Sequence, residues 1–217
     1  MNVAALIKQY FSEAMSSVSI DVFDEHTIGD VYKRVISLLT CHIEIELSVL
    51  QALSYCFYEI LDNVHIHSGK PLGTIITHYD NTLHRLKILV ADDGMGIQKS
   101  LSANSMYASI SESVALRTAI EDKVTDGKGL GFGLYATYRL IQDTDSYFVI
   151  RSGNHQLLLQ QGDISIEEAD FWQGTIVYME LQTNKDINPK AIVDFRTDAE
   201  DEYNTLFIDS NDLETLW

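Results

Sequence analysis

The sequence predicts a mixed α/β fold, on three observations. The segment IEIELSVLQALSYCFYEILDNVHI carries apolar residues on most helical faces, the pattern of a helix buried in the middle of a protein. Two β-rich runs, LGTIITHYD and HRLKILVADD, flank the three residues NTL and read as a hairpin. A glycine-rich loop, Gly127 to Gly133, then runs straight into an apolar helix.

The elements follow in order. Asn2 to Ser16 reads as a short amphipathic helix and VSIDVF as an alternating strand. Asp24, Glu25 and Thr27 announce a helix with Thr27 or Asp30 at its N-cap, and the helical pattern continues almost unbroken to His67. The hairpin comes next and ends on VADDGMGI, Val90 to Ile97. Ser109 to Asp122 opens with serines and continues with helical periodicity. SYFVIRSGNHQLLLQQG reads as two strands joined at Ser152 to His155, and GTIVYMELQ as a last strand. After Thr183 acids dominate, interrupted by TLFI and LETLW. Three regions are therefore expected: a mostly helical extension over residues 1–43, a core over 44–183, and an acidic tail or the start of a further segment over 184–217, since Trp217 does not read as a natural end.

Composition narrows the function classes. A chain of 217 residues, 46% hydrophobic with two prolines, suits one large folded domain with an appendage. Fifteen basic against 32 acidic residues give a formal charge of −17, which repels nucleic acid and anionic membrane surfaces. Cys41 and Cys56 lack the spacing of a metal knuckle or redox pair and are expected as buried core thiols in a reducing cytoplasm. The first residues include Lys8 and Glu13 and lack the pattern of a secretory signal. No apolar run reaches the roughly 20 residues of a membrane span, so a soluble cytoplasmic protein is expected.

Three elements carry candidate chemistry. Gly127, Gly129, Gly131 and Gly133 alternate with Lys128, Leu130 and Phe132. Backbone amides in such a loop can approach an anion without Cβ obstruction, and the following helix offers its positive end; a flexible hinge is the plainer reading. Glu59 and Asn63 lie one turn apart on an otherwise apolar helix, where polar groups are costly without partners. The Asn63 amide oxygen suits Mg²⁺ and Glu59 suits a general base, against the reading that both simply cap backbone or face solvent. In VADDGMGI, Asp92 can accept from the exocyclic amine of a purine, while Gly94 and Gly96 let backbone approach a flat ring; an Asp-Gly turn is the alternative.

Taken in order, ExxxN on a buried helix, a hairpin, DxGxG at a strand end and GxGxGxG entering a helix resemble the ATP-binding domain of the GHKL superfamily. That superfamily includes gyrase-type topoisomerases, large heat-shock chaperones, histidine kinases and mismatch-repair ATPases. The resemblance covers about Leu47 to Gln182. It implies a two-layer α/β sandwich binding ATP with Mg²⁺, with Asn63 holding the metal and Glu59 as catalytic base. It further implies that Asp92, with Gly94 and Gly96, reads adenine, and that Met95 and Ile97 line its pocket. Gly127, Gly129 and Gly131 would meet the phosphates. Leu130 belongs to the same candidate cradle, as does Lys128, which either assists the phosphates or is a solvated lysine. The segment from Gln98 to Lys128 would form a lid.

The residues around the first box choose a branch. Glu59, Asn63, His67 and Ser68 resemble the box of anti-sigma-factor serine/threonine kinases. Histidine kinases usually carry asparagine or histidine at the Glu59 position and lysine where Ile66 stands. His42, the nearest candidate phosphoacceptor, lies too close to the box for a separate dimerising hairpin; His65, His78, His84 and His155 read as surface or satisfied core residues. Two functions are expected from this: a kinase passing the γ-phosphoryl group to a regulatory protein partner, or a nucleotide-gated protein-binding module that hydrolyses ATP slowly or not at all. The acidic tail reads as solvated chain or as a docking segment, and the N-terminal helices are candidates for packing on the core or for a homodimer.

Overall fold

Alternating apolar and polar residues assemble five strands into one antiparallel sheet. The computed structural model describes residues 1–12, 17–127 and 131–193. Among them the strands are β1 (Ser19–Phe23), β2 (Gly73–Asp80), β3 (Arg85–Ala91), β4 (Tyr147–Gln160) and β5 (Asp163–Gln182), in the order β1-β2-β3-β5-β4. The α-helices are α1 (Val3–Tyr10), α2 (Ile28–His42), α3 (Leu47–His67), α4 (Ile97–Leu101), α5 (Glu112–Thr118), α6 (Gly133–Asp143) and α7 (Pro189–Val193). The mixed α/β class read from the sequence is the one the chain adopts.

Strand parity sorts side chains onto two faces. Ile88, Val90, Phe148, Val177 and Met179 join the apolar sides of α2, α3, α5 and α6 in the main core. Ile76, Leu89, Val149, Ile176 and Tyr178 turn to the opposite face, where Leu6 and Phe11 cover them. Leu6 and Phe11 are 2% and 0% exposed. Burying each contributes about 1.5–3 kcal/mol, so the N-terminal helix is docked on the sheet. Residues 19–42, assigned to an extension by the sequence, supply edge strand β1 and helix α2, whose Val31, Val35 and Leu39 belong to the main core. Ile192 of α7, assigned to the tail, is buried in that core too. Packing therefore runs across both expected region boundaries.

Turn chemistry fixes the hairpins. Asp80 Oδ1 accepts from the amides of Thr82 (2.9 Å) and Leu83 (3.0 Å) between β2 and β3. Gln161 and Gly162, at φ 52° and 82°, join β4 to β5, and positive φ at both positions matches the twist of the flanking strands.

Other expectations are corrected. β4 does not break at Ser152 to His155; its register shifts between Arg151 and Gly153 and again before His155, a bulge that bends the strand while letting it continue. β5 starts at Asp163, and its first half pairs with β4 alone, so its many polar residues can face water. The helix expected to run unbroken to His67 is interrupted over residues 43–46. There the Glu46 amide donates to the Thr183 carbonyl (2.8 Å) and the Glu44 carbonyl accepts from the Tyr79 hydroxyl (2.9 Å), so the ends of β2 and β5 use groups a continuous helix would pair internally. The first helix ends at Tyr10, and the one expected over Ser109 to Asp122 is confined to Glu112–Thr118, capped by Ser111. Cys41 is exposed, because it lies off the stripe of α2 that carries Val35 and Leu39. Cys56 is buried, and burial pushes its thiol up to about 12, which leaves it unreactive. No helix among the described residues is long and apolar enough to cross a membrane.

Candidate functional site

The site is organised along α3. This helix buries most of its surface, but a half-buried stripe runs through Glu59, Asn63 and His67, spaced four residues apart. The first residue of α6, Gly133, packs directly on that stripe. A Cβ added there would lie 2.8 Å from Glu59 Cβ, 2.9 Å from its Oε2 and 3.3 Å from Asn63 Nδ2. Glycine at 133 is thus what lets the start of α6 reach the two polar side chains. The N-cap residue of α6, Phe132, makes no side-chain cap bond, and the amides of that turn are oriented as a helix N-terminus presents them.

Asp92 follows the last residue of β3 and is 4% exposed. Its Oδ1 accepts from the Gly94 amide at 2.7 Å, and its own amide donates to the Thr175 carbonyl at 2.9 Å. Burial raises the Asp92 carboxyl to about 6, although hydrogen bonds from Gly94 and from the backbone and hydroxyl of Thr175 pull the other way. Trp172 Nε1 donates to the Asp92 carbonyl at 2.9 Å. Gly174, at φ 103°, comes so close that a Cβ would lie 2.4 Å from that carbonyl oxygen.

The loop after Asp92 rests on the C-terminal end of α3. The Met95 amide donates to the Ser68 carbonyl at 2.8 Å. Gly94 has no room for a side chain, since a Cβ would sit 2.3 Å from the Ser68 oxygen. Gly96 takes φ 77° beside Ser152, whose hydroxyl oxygen accepts from the Ile97 amide at 3.0 Å. Met95, Gly96 and Ile97 border a cavity walled by Leu116, Trp172 and Gly174. Gly94→Ala should therefore destabilise the fold by roughly 3 kcal/mol, because the obstructing atom is backbone and cannot swing aside. Urea denaturation measures this, and a variant within about 0.5 kcal/mol of wild type would contradict the close packing.

The second glycine run is described at its two ends. Gly127 is exposed at φ 99°, and Gly131, at φ 74°, lies against the Val124 carbonyl, where a Cβ would stand 2.3 Å from the oxygen. Lys128, Gly129 and Leu130 lie outside the described residues. The segment from Gln98 onward, expected as a lid, contains α4, a 3-10 turn (Ser105–Tyr107) and α5. The Glu112 carboxylate of α5 accepts from the Asn154 amide (3.0 Å) and pairs with His155 Nδ1 (3.0 Å); the Asn154 bond, then His155, holds this carboxyl below its usual range.

The structure thus brings Glu59 and Asn63 against the helix that follows the second glycine run, and Asp92, Gly94 and Met95 against the C-terminal end of the same α3. Trp172, Gly174 and Thr175 were not among the expected residues, and Gly133 and Ser68 were expected in the glycine run and the first box without these contacts. A glycine followed by threonine at a strand interior, as in GTIVYMELQ, signals close backbone approach and could have pointed to Gly174 and Thr175. Among the described residues no group of three or more His, Cys, Asp or Glu could hold a metal ion. Compared with protein-family models and with curated proteins, the chain matches none.

Proposed function

We propose that this chain is a Mg-ATP-binding regulatory protein with the two-layer GHKL-type sandwich, acting in the cytoplasm as an anti-sigma-type serine/threonine kinase on a protein partner. The observation that carries the reading is that two candidate segments meet the first box along α3 and its C-cap: Gly133, at the end of the second glycine run, touches Glu59 and Asn63, and Gly94 and Met95 touch Ser68. Segments far apart in the chain thus meet along one helix and its C-cap.

The residues present fit the nucleotide and its metal. Glycine at 133 lets the start of α6 pack directly on Glu59 and Asn63, and a helix N-terminus there suits phosphate oxygens. The Asn63 amide oxygen would hold Mg²⁺, a hard cation that favours oxygen ligands. When bound, Mg²⁺ neutralises phosphate charge in a protein of formal charge −17. Asp92 accepts from the adenine amine. Glu59 takes the proton of an attacking serine or threonine hydroxyl, whose oxygen bonds to the γ-phosphorus as the bond to ADP breaks.

A nucleotide-gated binding module is the second reading, favoured by the elements outside the three boxes, α1 and α2, and by the acidic terminal sequence. Calorimetric titration with ATP and ADP in the presence of Mg²⁺ tests the shared premise, and binding of neither nucleotide rejects both. Following labelled γ-phosphate in mixtures with candidate partners separates them. Label on a partner hydroxyl supports the kinase, whereas ATP-dependent association without transfer supports the module.

A further inference from the structure

Asp126 is a buried carboxylate outside the three boxes, its side chain 2% exposed. Its Oδ2 lies 2.8 Å from His67 Nδ1 and accepts from the Ser100 hydroxyl at 2.8 Å. Those partners stand 59 and 26 residues away in sequence. His67 is the third member of the stripe formed by Glu59 and Asn63, one turn beyond Asn63 on α3. Ser100 lies on α4, directly after the Gly94 to Gly96 turn, and is itself buried. Asp126 is also the residue before Gly127, and the neighbouring Thr125 carbonyl accepts from Asn104 Nδ2 at 3.1 Å. A buried carboxylate is costly unless donors satisfy it, and two donors on different elements make it a fixed point rather than a surface group.

We propose that Asp126 is the positioning residue that ties Gly127, where the second glycine run begins, to α3 and α4, and that through it the site recognises the phosphates of a nucleotide separately from its base. The proposal rests on the nucleotide reading above. The base end also has contacts of its own that do not involve Asp126: the Ser68 carbonyl accepts from the Met95 amide, and Trp172 and Gly174 lie on the Asp92 carbonyl. The phosphate end has Gly131 against Val124 and Gly133 against Glu59, but where the run begins is set by Asp126. Loss of the carboxylate therefore releases the start of the run from the stripe that carries Asn63, while the contacts around Asp92 persist. Asparagine at 126 keeps the size but loses the charge that serves both donors, and Ser100→Ala removes one bond only.

The test compares wild type, Asp126→Asn, Asp126→Ala and Ser100→Ala by calorimetric titration with Mg-ATP and with adenosine. Both Asp126 variants should bind ATP about tenfold more weakly and adenosine within about twofold of wild type, with Ser100→Ala shifted in the same direction by less. Without nucleotide, tryptic cleavage at Lys99 and Lys123 should be several times faster in the Asp126 variants, while circular dichroism stays native. Equal losses for ATP and adenosine, or no loss for either, overturn the proposal. If the wild type binds neither ligand, the nucleotide reading falls and proteolysis still judges the latch: unchanged cleavage in Asp126→Ala overturns that as well. Should Asp126→Ala fail to fold, Ser100→Ala supplies the same comparison.

Discussion

Replacing Asp92 with asparagine is expected to abolish ATP binding and, in the same protein, to raise the melting temperature. A carboxylate that is 4% exposed at the end of β3 costs the fold its hydration, and burial raises it from 3.8 to about 6. The folded value lies above the unfolded one, so the stability linked to this group is fullest below pH about 3.8. It falls as pH climbs from there to about 6 and stays low above. A shift of about two units corresponds to roughly 3 kcal/mol. Asparagine keeps an oxygen for the Gly94 amide and has no charge to desolvate, so it should recover much of that, about 5 °C for a chain of this size at neutral pH. Near pH about 4 the advantage should shrink toward zero. ATP affinity of the wild type should weaken as pH drops below about 6 and the acceptor takes up a proton. Thermal melts and calorimetry at the two pH values check both halves. A variant that melts below wild type at neutral pH contradicts the buried-charge account, and one that binds ATP undiminished removes Asp92 from the adenine site.

Glu59→Gln should leave ATP affinity nearly unchanged and lower phosphoryl transfer by about 10²–10⁴-fold. The amide preserves the shape that Gly133 packs against but cannot take a proton from a hydroxyl. Single-turnover transfer of labelled phosphate reads the rate, and parallel titration reads binding. If transfer persists at the wild-type rate, the base lies elsewhere; if the variant loses ATP affinity instead, Glu59 belongs to binding and the module reading gains.

The pattern of the chain made some elements plain and hid others. The α3 helix announced itself through apolar residues on nearly every face, and the β2–β3 hairpin through its alternation around a polar turn, both local consequences of burial. The first half of β5 stayed hidden because DISIEEADFW pairs on one side only and keeps many polar groups exposed. The break before α3 was invisible because its cause, the bonds that Thr183 and Tyr79 make to residues 44–46, comes from residues well outside that stretch of chain.

The same division holds for the candidate site. The chain by itself determined which residues could act, namely Glu59, Asn63, Asp92 and the two glycine runs, since side-chain chemistry and helical spacing are local properties. Only the tertiary structure decided where they meet. Gly133 had to come to rest against Glu59, Gly174 against Asp92 and Asp126 between His67 and Ser100. Those contacts join residues tens of positions apart, and what selects them is the packing of α3 against both the sheet and α6, which no window along the chain contains.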